Sequence, residues 1–407
     1  MNAKAWVIIA FLAISAIKVI LQLVQNRSAS NPIPENVSDV YDNETYLKWQ
    51  KYHGELGRLS LIETLVNTAA IALLLFFDVF SLVSGIFGEN TFAQLTAVLL
   101  FLSVVELVFS LPFSYVSTMK IEEKYGFNRS TLKIFVKDQI VGFILGVVLN
   151  FAIVSIMCAC HIWLGDGMAV LFSVALCAFV LIVNLVAPAF MRIQNKFTPL
   201  PDGELKTKLT DLLTKHGYQV KAIEVMDASR RTSKGNAFFS GFGKQKRIVL
   251  FDTLLETMDD DEICAVFAHE LGHGLHKDIP KLLIMNCGNM ILTALLAWLT
   301  VSISEIYSTF GFTSVNYGFA YIVLSIAFLP LVMQLTALII NAVSRKAEYA
   351  ADAQAFKEGY GDALISGLKK LSRGNFAHLS PSKLLVLLNY NHPPLSERIT
   401  AIEKLKK

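Results

Sequence analysis

Charged side chains are scarce in this chain of 407 residues. Asp, Glu, Lys and Arg make up 17% of it and the mean hydropathy is +0.51, whereas soluble domains carry about 25% charged residues. The five cysteines lie mostly in apolar runs, which argues against a disulfide framework. The net charge is only +3 and no basic block is interleaved with aromatic residues, so no nucleic-acid partner is expected. The low fraction of charged residues and the positive mean hydropathy favour a membrane protein.

Seven apolar stretches are long enough to cross a bilayer as helices, each of which needs about 20 apolar residues. They span approximately 5–24, 61–86, 92–117, 138–163, 168–190, 281–303 and 318–342. The sequence therefore predicts a mainly α, polytopic membrane protein with four parts. These are five membrane helices in 1–190, a polar region with a protease motif in 191–280, a membrane hairpin in 281–343 and a second polar region in 344–407.

The distribution of positive charge predicts the orientation in the membrane. Loop 119–137 contains five Lys or Arg residues, whereas the short connections at 87–91, 164–167 and 304–317 contain none. Cytoplasmic loops carry the excess of Lys and Arg. We therefore expect the positive loops and both polar regions, and with them any catalytic site they contain, to be cytoplasmic.

Residues 269–273 read His-Glu-Leu-Gly-His, a pattern typical of zinc hydrolases. On a helix, positions i and i+4 lie on one face, so His269 and His273 can present two imidazoles to one metal ion. Glu270 is adjacent and can act as the general base on the attacking water. The pattern also arises by chance in unrelated proteins, so a third ligand is needed to test this interpretation.

A third histidine six residues after His273 is excluded, because Ile279 occupies that position. A carboxylate from a later helix is the other known solution. Glu348 and Asp352 are spaced i, i+4 directly after the last apolar segment. We favour Glu348 as the ligand, with Asp352 orienting a ligand imidazole. Taken alone, the same residues could form a solvated charged helix.

Two further segments are candidates for the site. His392 is followed by two prolines, which fix the backbone, and could donate a hydrogen bond to an oxyanion; a surface loop is the alternative. Residues 220–227 and 246–251 are predicted strands and 204–216 a helix. Between the strands lies the segment Asn-Ala-Phe-Phe-Ser-Gly-Phe-Gly, which begins at Asn236 and has glycines to turn the chain, so we expect a small sheet ahead of the motif helix.

With these parts in order, the chain resembles the type I CAAX prenyl proteases, which are integral-membrane zinc endopeptidases. The resemblance covers most of the chain. It is carried chiefly by Asn236-Ala-Phe-Phe-Ser-Gly-Phe, Lys246-Arg-Ile-Val-Leu-Phe-Asp-Thr-Leu-Leu-Glu256, His269-Glu-Leu-Gly-His273, Ser344-Arg-Lys-Ala-Glu-Tyr-Ala-Ala-Asp352 and His392-Pro-Pro-Leu.

The resemblance implies seven membrane helices around a water-filled chamber, closed at one end by a gluzincin-like zinc domain with a small β-sheet. It implies one Zn²⁺ per chain bound by His269, His273 and Glu348, with Glu270 as base. Supporting roles are implied for Asp352, His392 and Arg398. It also implies that an extended substrate pairs with the strand formed by Asn236, Ala237, Phe238, Phe239 and Ser240. The substrates would be peptides or prenylated proteins ending in Cys-a-a-X.

The polar regions are compact and loop 304–317 is short, which looks more like bacterial relatives. A bacterial inner membrane is therefore favoured, with the endoplasmic reticulum as the alternative. Two other functions stay open: quality control of membrane proteins without a prenyl group, and a catalytically idle zinc-containing binding or chaperone module. A site-2 type intramembrane protease is disfavoured, because the Asp-Gly pair at Asp202 precedes the motif instead of following it.

Overall fold

The computed structural model describes residues 2–240 and 246–407 and is mainly helical. Six continuous helical stretches in this described part are long and apolar enough to cross a membrane: Ala3–Ser28, Asn43–Phe76, Thr91–Tyr125, Leu132–Gln194, Asp278–Ser302 and Tyr317–Lys357. The fourth of them is divided by a 3-10 turn at Gly165–Gly167, where Gly165 has a φ of +50°. It therefore consists of two helices, and all seven predicted membrane helices are found.

The helices and their connections have the following bounds. The first seven helices are α1 (Ala3–Ser28), α2 (Asn43–Phe76), α3 (Val79–Gly85), α4 (Thr91–Val116), α5 (Glu123–Tyr125), α6 (Leu132–Leu164) and α7 (Met168–Gln194). The others are α8 (Glu204–Lys215), α9 (Asp252–Thr257), α10 (Asp260–Leu275), α11 (Asp278–Ser302), α12 (Ser304–Thr309), α13 (Tyr317–Val323), α14 (Leu329–Lys357), α15 (Gly361–Gly374), α16 (Lys383–Asn389) and α17 (Leu395–Lys404). Two π-helical segments, Ser117–Glu122 and Leu324–Phe328, join α4 to α5 and α13 to α14.

Several membrane helices extend well beyond their apolar segments. Helix α2 begins at Asn43, where the Asp42 side chain accepts a hydrogen bond from the Thr45 amide, whereas the apolar stretch begins near residue 61. Helix α14 continues without a break from the last apolar stretch to Lys357. A helix satisfies its own backbone hydrogen bonds on both sides of the membrane boundary, so it need not end there. This continuity carries α14 directly from the bilayer into the candidate site.

Fully buried apolar side chains form two main groups at opposite ends of the bundle. One group packs the polar regions around α8, α10 and α15, and the other packs the helix ends next to the short uncharged connections. Between these ends α6 buries no side chain from Val136 to Ile153, and α7 buries none after Leu176. A cavity of about 350 Å³ lies there, lined by Glu106, Asn150 and their neighbours on α4 and α6. The polar and glycine residues that α4 and α6 contribute to this cavity face each other inside the predicted bundle, where the chamber was expected.

A small mixed sheet lies ahead of the motif helix. Its strands are β1 (Phe197–Pro199), β2 (Ala222–Met226), β3 (Ala237–Ser240) and β4 (Arg247–Phe251), in the spatial order β1-β2-β4-β3. β2 and β4 are parallel, and each outer strand is antiparallel to its neighbour. The two strands predicted at 220–227 and 246–251 are confirmed, and β1 was not predicted. In the described part of the chain, β3 pairs on one side only and forms an edge.

Helix α10 carries the histidine motif and packs along α14. It begins with a capping box, in which Asp259 and Glu262 each accept a hydrogen bond from the other's backbone amide. Its close approach to α14 depends on Gly272, because a Cβ atom there would lie 2.9 Å from the Cα of Ala351. The glycine inside the motif therefore allows the two helices that carry the predicted metal ligands to touch.

Candidate metal centre

Three side chains converge where α10 meets α14. The Nε2 atom of His269 lies 3.5 Å from one carboxylate oxygen of Glu348, and the Nε2 atom of His273 lies 3.3 Å from the other. All three potential ligand atoms lie within 4.8 Å of one another. His269 and His273 share one face of α10 because they are four residues apart. The structure thus brings together the three residues that were predicted as metal ligands.

The chemistry of these donors fits a divalent metal ion. Both histidines use Nδ1 for a carboxylate, with Asp352 2.8 Å from His269 and Asp278 3.0 Å from His273. Each Nε2 is therefore left to face Glu348. The Oε2 atom of Glu348 is buried and, within the described residues, accepts no well-formed hydrogen bond. Two oriented imidazoles and a buried carboxylate are what a metal site with carboxylate-oriented histidines requires.

Asp352 and Arg398 hold His269 from distant parts of the chain. Arg398, on α17, binds both oxygens of Asp352, with Nε–Oδ2 and Nη2–Oδ1 distances of 2.9 and 2.6 Å. Asp352 is 1% exposed and its Oδ1 atom also contacts His269. A bidentate, charge-assisted pair fixes the carboxylate in one orientation. The two residues predicted to support the site are both adjacent to it.

Glu270 faces a cavity of about 280 Å³ that His273, Glu348 and His392 also line. Burial raises the pKa of Glu270 above its ordinary value, while the neighbouring His269 and His273 act in the opposite direction. A carboxylate with a raised pKa accepts and returns protons more readily near neutral pH. The position and environment of Glu270 therefore suit a general base.

His392 lies at the mouth of the same cavity. Its Nδ1 atom is 2.9 Å from Oε2 of Glu348, and its side chain is 59% exposed. The segment before it is held by Arg345 on α14, which donates hydrogen bonds to the carbonyls of Val386 and Tyr390. His392 thus lies in an exposed loop, and its position beside Glu348 brings it within reach of a substrate bound next to the predicted metal ligands.

The predicted substrate strand is the edge strand β3, which contacts α10. Asn236 directly precedes it, and Phe238 and Phe239 line the cavity that contains Glu270. The final residues of the sequence motif, Gly241 and Phe242, and the following Gly243 lie outside the described residues.

Within residues 2–240 and 246–407, Asp278 is a contact of the candidate metal centre that we did not predict. It is buried, begins α11 and contacts the Nδ1 atom of His273, with Lys281 on its other side. Lys277 between α10 and α11 has a φ of +57°, so the chain turns sharply and returns Asp278 to the histidine. An acidic residue five positions after the motif was the only signal in the sequence, and it lies at the predicted membrane boundary.

Comparisons with known proteins identify the family of the chain. Residues 22–192 match the family described as CAAX prenyl protease N-terminal, five membrane helices, and residues 199–406 match peptidase family M48. CAAX prenyl protease 1 homolog of Arabidopsis thaliana is 32% identical, covering 91% of this chain and 90% of the relative. CAAX prenyl protease 1 of Saccharomyces cerevisiae is 31% identical, covering 91% and 88%.

A solved structure extends the similarity to the whole fold. The crystal structure of S. mikatae Ste24p superposes with a TM-score of 0.92 at 29% identity, covering 99% of each chain. The resemblance expected from the motifs is therefore confirmed over the membrane helices and the polar regions alike. The chain belongs to peptidase family M48 and is an integral-membrane metalloendopeptidase of the CAAX prenyl protease type.

Proposed function

We propose that the protein is a zinc endopeptidase that binds one Zn²⁺ per chain through His269, His273 and Glu348. The observation that carries this proposal is the convergence of two imidazoles and one carboxylate within 4.8 Å, with both Nδ1 atoms already engaged. Zinc peptidases use such a set of three protein ligands and keep a further position open. When bound, zinc supplies a Lewis acid that makes water nucleophilic near neutral pH.

The other residues orient groups and move protons. Glu270 takes the proton from the attacking water and passes it to the leaving amine. His392 donates a hydrogen bond to the oxyanion that forms on the scissile carbonyl. Asp352 and Arg398 hold His269, and Asp278 holds His273, so that both rings keep one tautomer and one orientation.

The substrate lies extended along Asn236–Ser240, adding a strand to the free edge of β3. Edge addition supplies main-chain hydrogen bonds that do not depend on the side chains of the substrate. Phe238 and Phe239 give the adjoining cavity an apolar wall. The names of the relatives suggest a prenylated protein that ends in Cys-a-a-X, and the apolar cavity wall next to a membrane suits a lipidated peptide.

A cleavage assay with purified protein tests this proposal. Farnesylated and unfarnesylated Cys-a-a-X peptides are compared for the wild type, for Glu270→Gln and for a chelator-treated sample. Glu403→Gln serves as the matched control, because Glu403 is an exposed glutamate on α17, outside the site. We expect cleavage of the farnesylated peptide by the wild type and the control only.

Other outcomes identify the alternatives. Equal cleavage of both peptides would keep the peptidase but favour non-prenylated substrates, as in quality control of membrane proteins. Failure to cleave either peptide or unfolded membrane proteins, with zinc bound, would favour the idle binding or chaperone module.

The polar regions that contain the site are proposed to be cytoplasmic, in a bacterial inner membrane or, alternatively, the endoplasmic reticulum. The relatives named above are eukaryotic, so the similarity to bacterial members stays a prediction. An impermeant thiol probe tests the orientation with Leu405→Cys near the C-terminus, against wild type as background. Labelling only after the membrane is permeabilised is expected, and labelling of intact cells would reverse the orientation.

A further inference from the structure

The C-terminal end of the short helix α16 lies beside the predicted membrane-spanning part of α14. The Asn341 side chain donates a hydrogen bond of 2.9 Å to the carbonyl of Leu388. Asn341 belongs to the last apolar stretch and lies seven residues before Glu348, which corresponds to about 10 Å along the helix axis. The end of α16 therefore lies beside the last predicted membrane segment, about 10 Å along α14 from Glu348, although the region 344–407 was expected to be cytoplasmic.

The segment that leads into α16 is hydrogen-bonded to the end of α1 and the residues that follow it. The Asn31 side chain donates to the carbonyl of Ser380, and Ser28 lies 2.9 Å from the Nε2 atom of His378. Within the bundle, α1 contacts α2, and α11 contacts α14. At the end of the bundle away from the site, α1 also contacts the π-helical segment that precedes α14. Helix α16 contacts both α1 and α14. At the end of the bundle near the site, it therefore lies between the first and last membrane helices.

Two of the last four carbonyl groups of α16, those of Val386 and Leu388, accept hydrogen bonds from side chains of α14, as does the carbonyl of Tyr390 directly after the helix. A helix leaves its last four carbonyls without partners inside the helix, and water normally satisfies them. Here Arg345 binds the carbonyls of Val386 and Tyr390, and Asn341 binds that of Leu388. Satisfying backbone groups from within the protein is what an apolar, water-poor environment demands.

The outer face of α16 is apolar. Leu384 and Leu387 are 46% and 51% exposed and, at i, i+3, lie on one face, whereas Leu385 is 2% exposed on the inner side. From residue 344 to the C-terminus, the only other large hydrophobic side chain with comparable exposure is Leu405. Lys383 begins the helix and is exposed, as suits an interfacial anchor whose charge remains in water.

We propose that α16 is a re-entrant helix whose Leu384 and Leu387 contact the acyl chains of the bilayer. This position accounts for its contact with Asn341, for the hydrogen bonds from α14 to the carbonyls of Val386 and Leu388, and for its apolar outer face. Two residues, Tyr390 and Asn391, separate α16 from His392, and Arg345 holds that connection. Arg345 therefore connects the position of α16 to the segment that precedes His392.

Spin labelling tests this inference without a substrate. A nitroxide is attached to Leu384→Cys, to Leu387→Cys and to Leu405→Cys in the full chain, reconstituted in phospholipid bilayers. Labelled wild type provides the background of its five cysteines. Leu405 is the matched control because it is a leucine of similar exposure, 45%, near the C-terminus. Collision with dissolved oxygen, which concentrates in lipid, is compared with collision with a water-soluble nickel chelate.

We expect the ratio of oxygen to nickel collisions at positions 384 and 387 to be several-fold higher than at 405. Ratios equal to that at 405 would place the leucines in water, either outside the membrane or in the chamber, and would overturn the inference. If Leu384→Cys does not fold, position 387 gives the same answer alone. Neither result depends on cleavage of a Cys-a-a-X peptide, so it is separate from the proposed function.

Discussion

The two motif histidines are held by partners of different kinds. His269 is buried and is held by Asp352 and Arg398, which come from α14 and α17. His273 is partly exposed and is held by Asp278, which is five residues away at the start of the next helix. One half of the metal centre therefore depends on the packing of three helices, and the other half on a single tight turn. We therefore expect substitutions of Asp352 and of Asp278 to lower the metal affinity by different amounts.

The largest effect is expected from Glu270→Gln, which changes the proposed general base and leaves the partners of both histidines intact. Glu270→Gln should abolish turnover yet retain the metal, because the amide cannot accept the proton and Glu270 is not a ligand. Peptide cleavage and metal content per chain are measured on the same preparation. Loss of the metal in this variant would assign Glu270 to metal binding instead.

His392→Ala should lower turnover by about ten- to a thousandfold, as the removal of an oxyanion donor does. Metal content should be unchanged, because both histidine ligands keep their carboxylate partners. Steady-state kinetics with one fixed peptide provide the measurement. Wild-type turnover would remove His392 from the mechanism.

Asp352→Asn tests the support of His269, which depends on the packing of α10, α14 and α17. We expect metal affinity to fall by about 10- to 100-fold, because the amide no longer fixes the tautomer of His269 and leaves the charge of Arg398 without a full partner. Competition with a metal chelator measures the affinity. A variant with unchanged affinity would show that the Arg398 contact is dispensable.

Asp278→Asn tests the support of His273, which depends on the turn between α10 and α11. Affinity should fall by about tenfold, at the lower end of such effects, since His273 is partly exposed and water can replace the lost acceptor. The same chelator competition allows direct comparison with Asp352→Asn. If Asp278→Asn were the more damaging change, the ranking of the two halves would be reversed.

Lys281→Ala should have the smallest effect, a change of less than about twofold in affinity. Its ammonium group lies 3.0 Å from Asp278 and its side chain is more than half exposed, and exposed ion pairs contribute little. A tenfold loss in the same assay would mean that Lys281 orients Asp278.

Features with a local cause were predictable from the sequence. The spacing of His269 and His273 follows from helical geometry alone, and the membrane helices follow from apolar length. Glu348 and Asp352 were found because their i, i+4 spacing lies on a helix that follows an apolar segment. The strands at 220–227 and 246–251 were also recognised, because each is a continuous run with β-forming side chains.

Features with a tertiary cause were not predictable in the same way. The strand Phe197–Pro199 contains only three residues and exists because it pairs with β2. Asp278 was hidden at a membrane boundary, and its role depends on the left-handed turn at Lys277. Helix α16 is a short apolar segment within a polar region, and its place beside α14 depends on Asn341 and Arg345, which no local pattern connects to it.

Anomalous diffraction at the zinc absorption edge from crystals of the active protein tests the central claim most directly. We expect one peak per chain, at about 2.0–2.2 Å from His269 Nε2, His273 Nε2 and a carboxylate oxygen of Glu348, and no peak in Glu348→Ala, which should also be inactive. A zinc peak bound by other residues, or full peptidase activity in Glu348→Ala, would contradict the proposed metal centre.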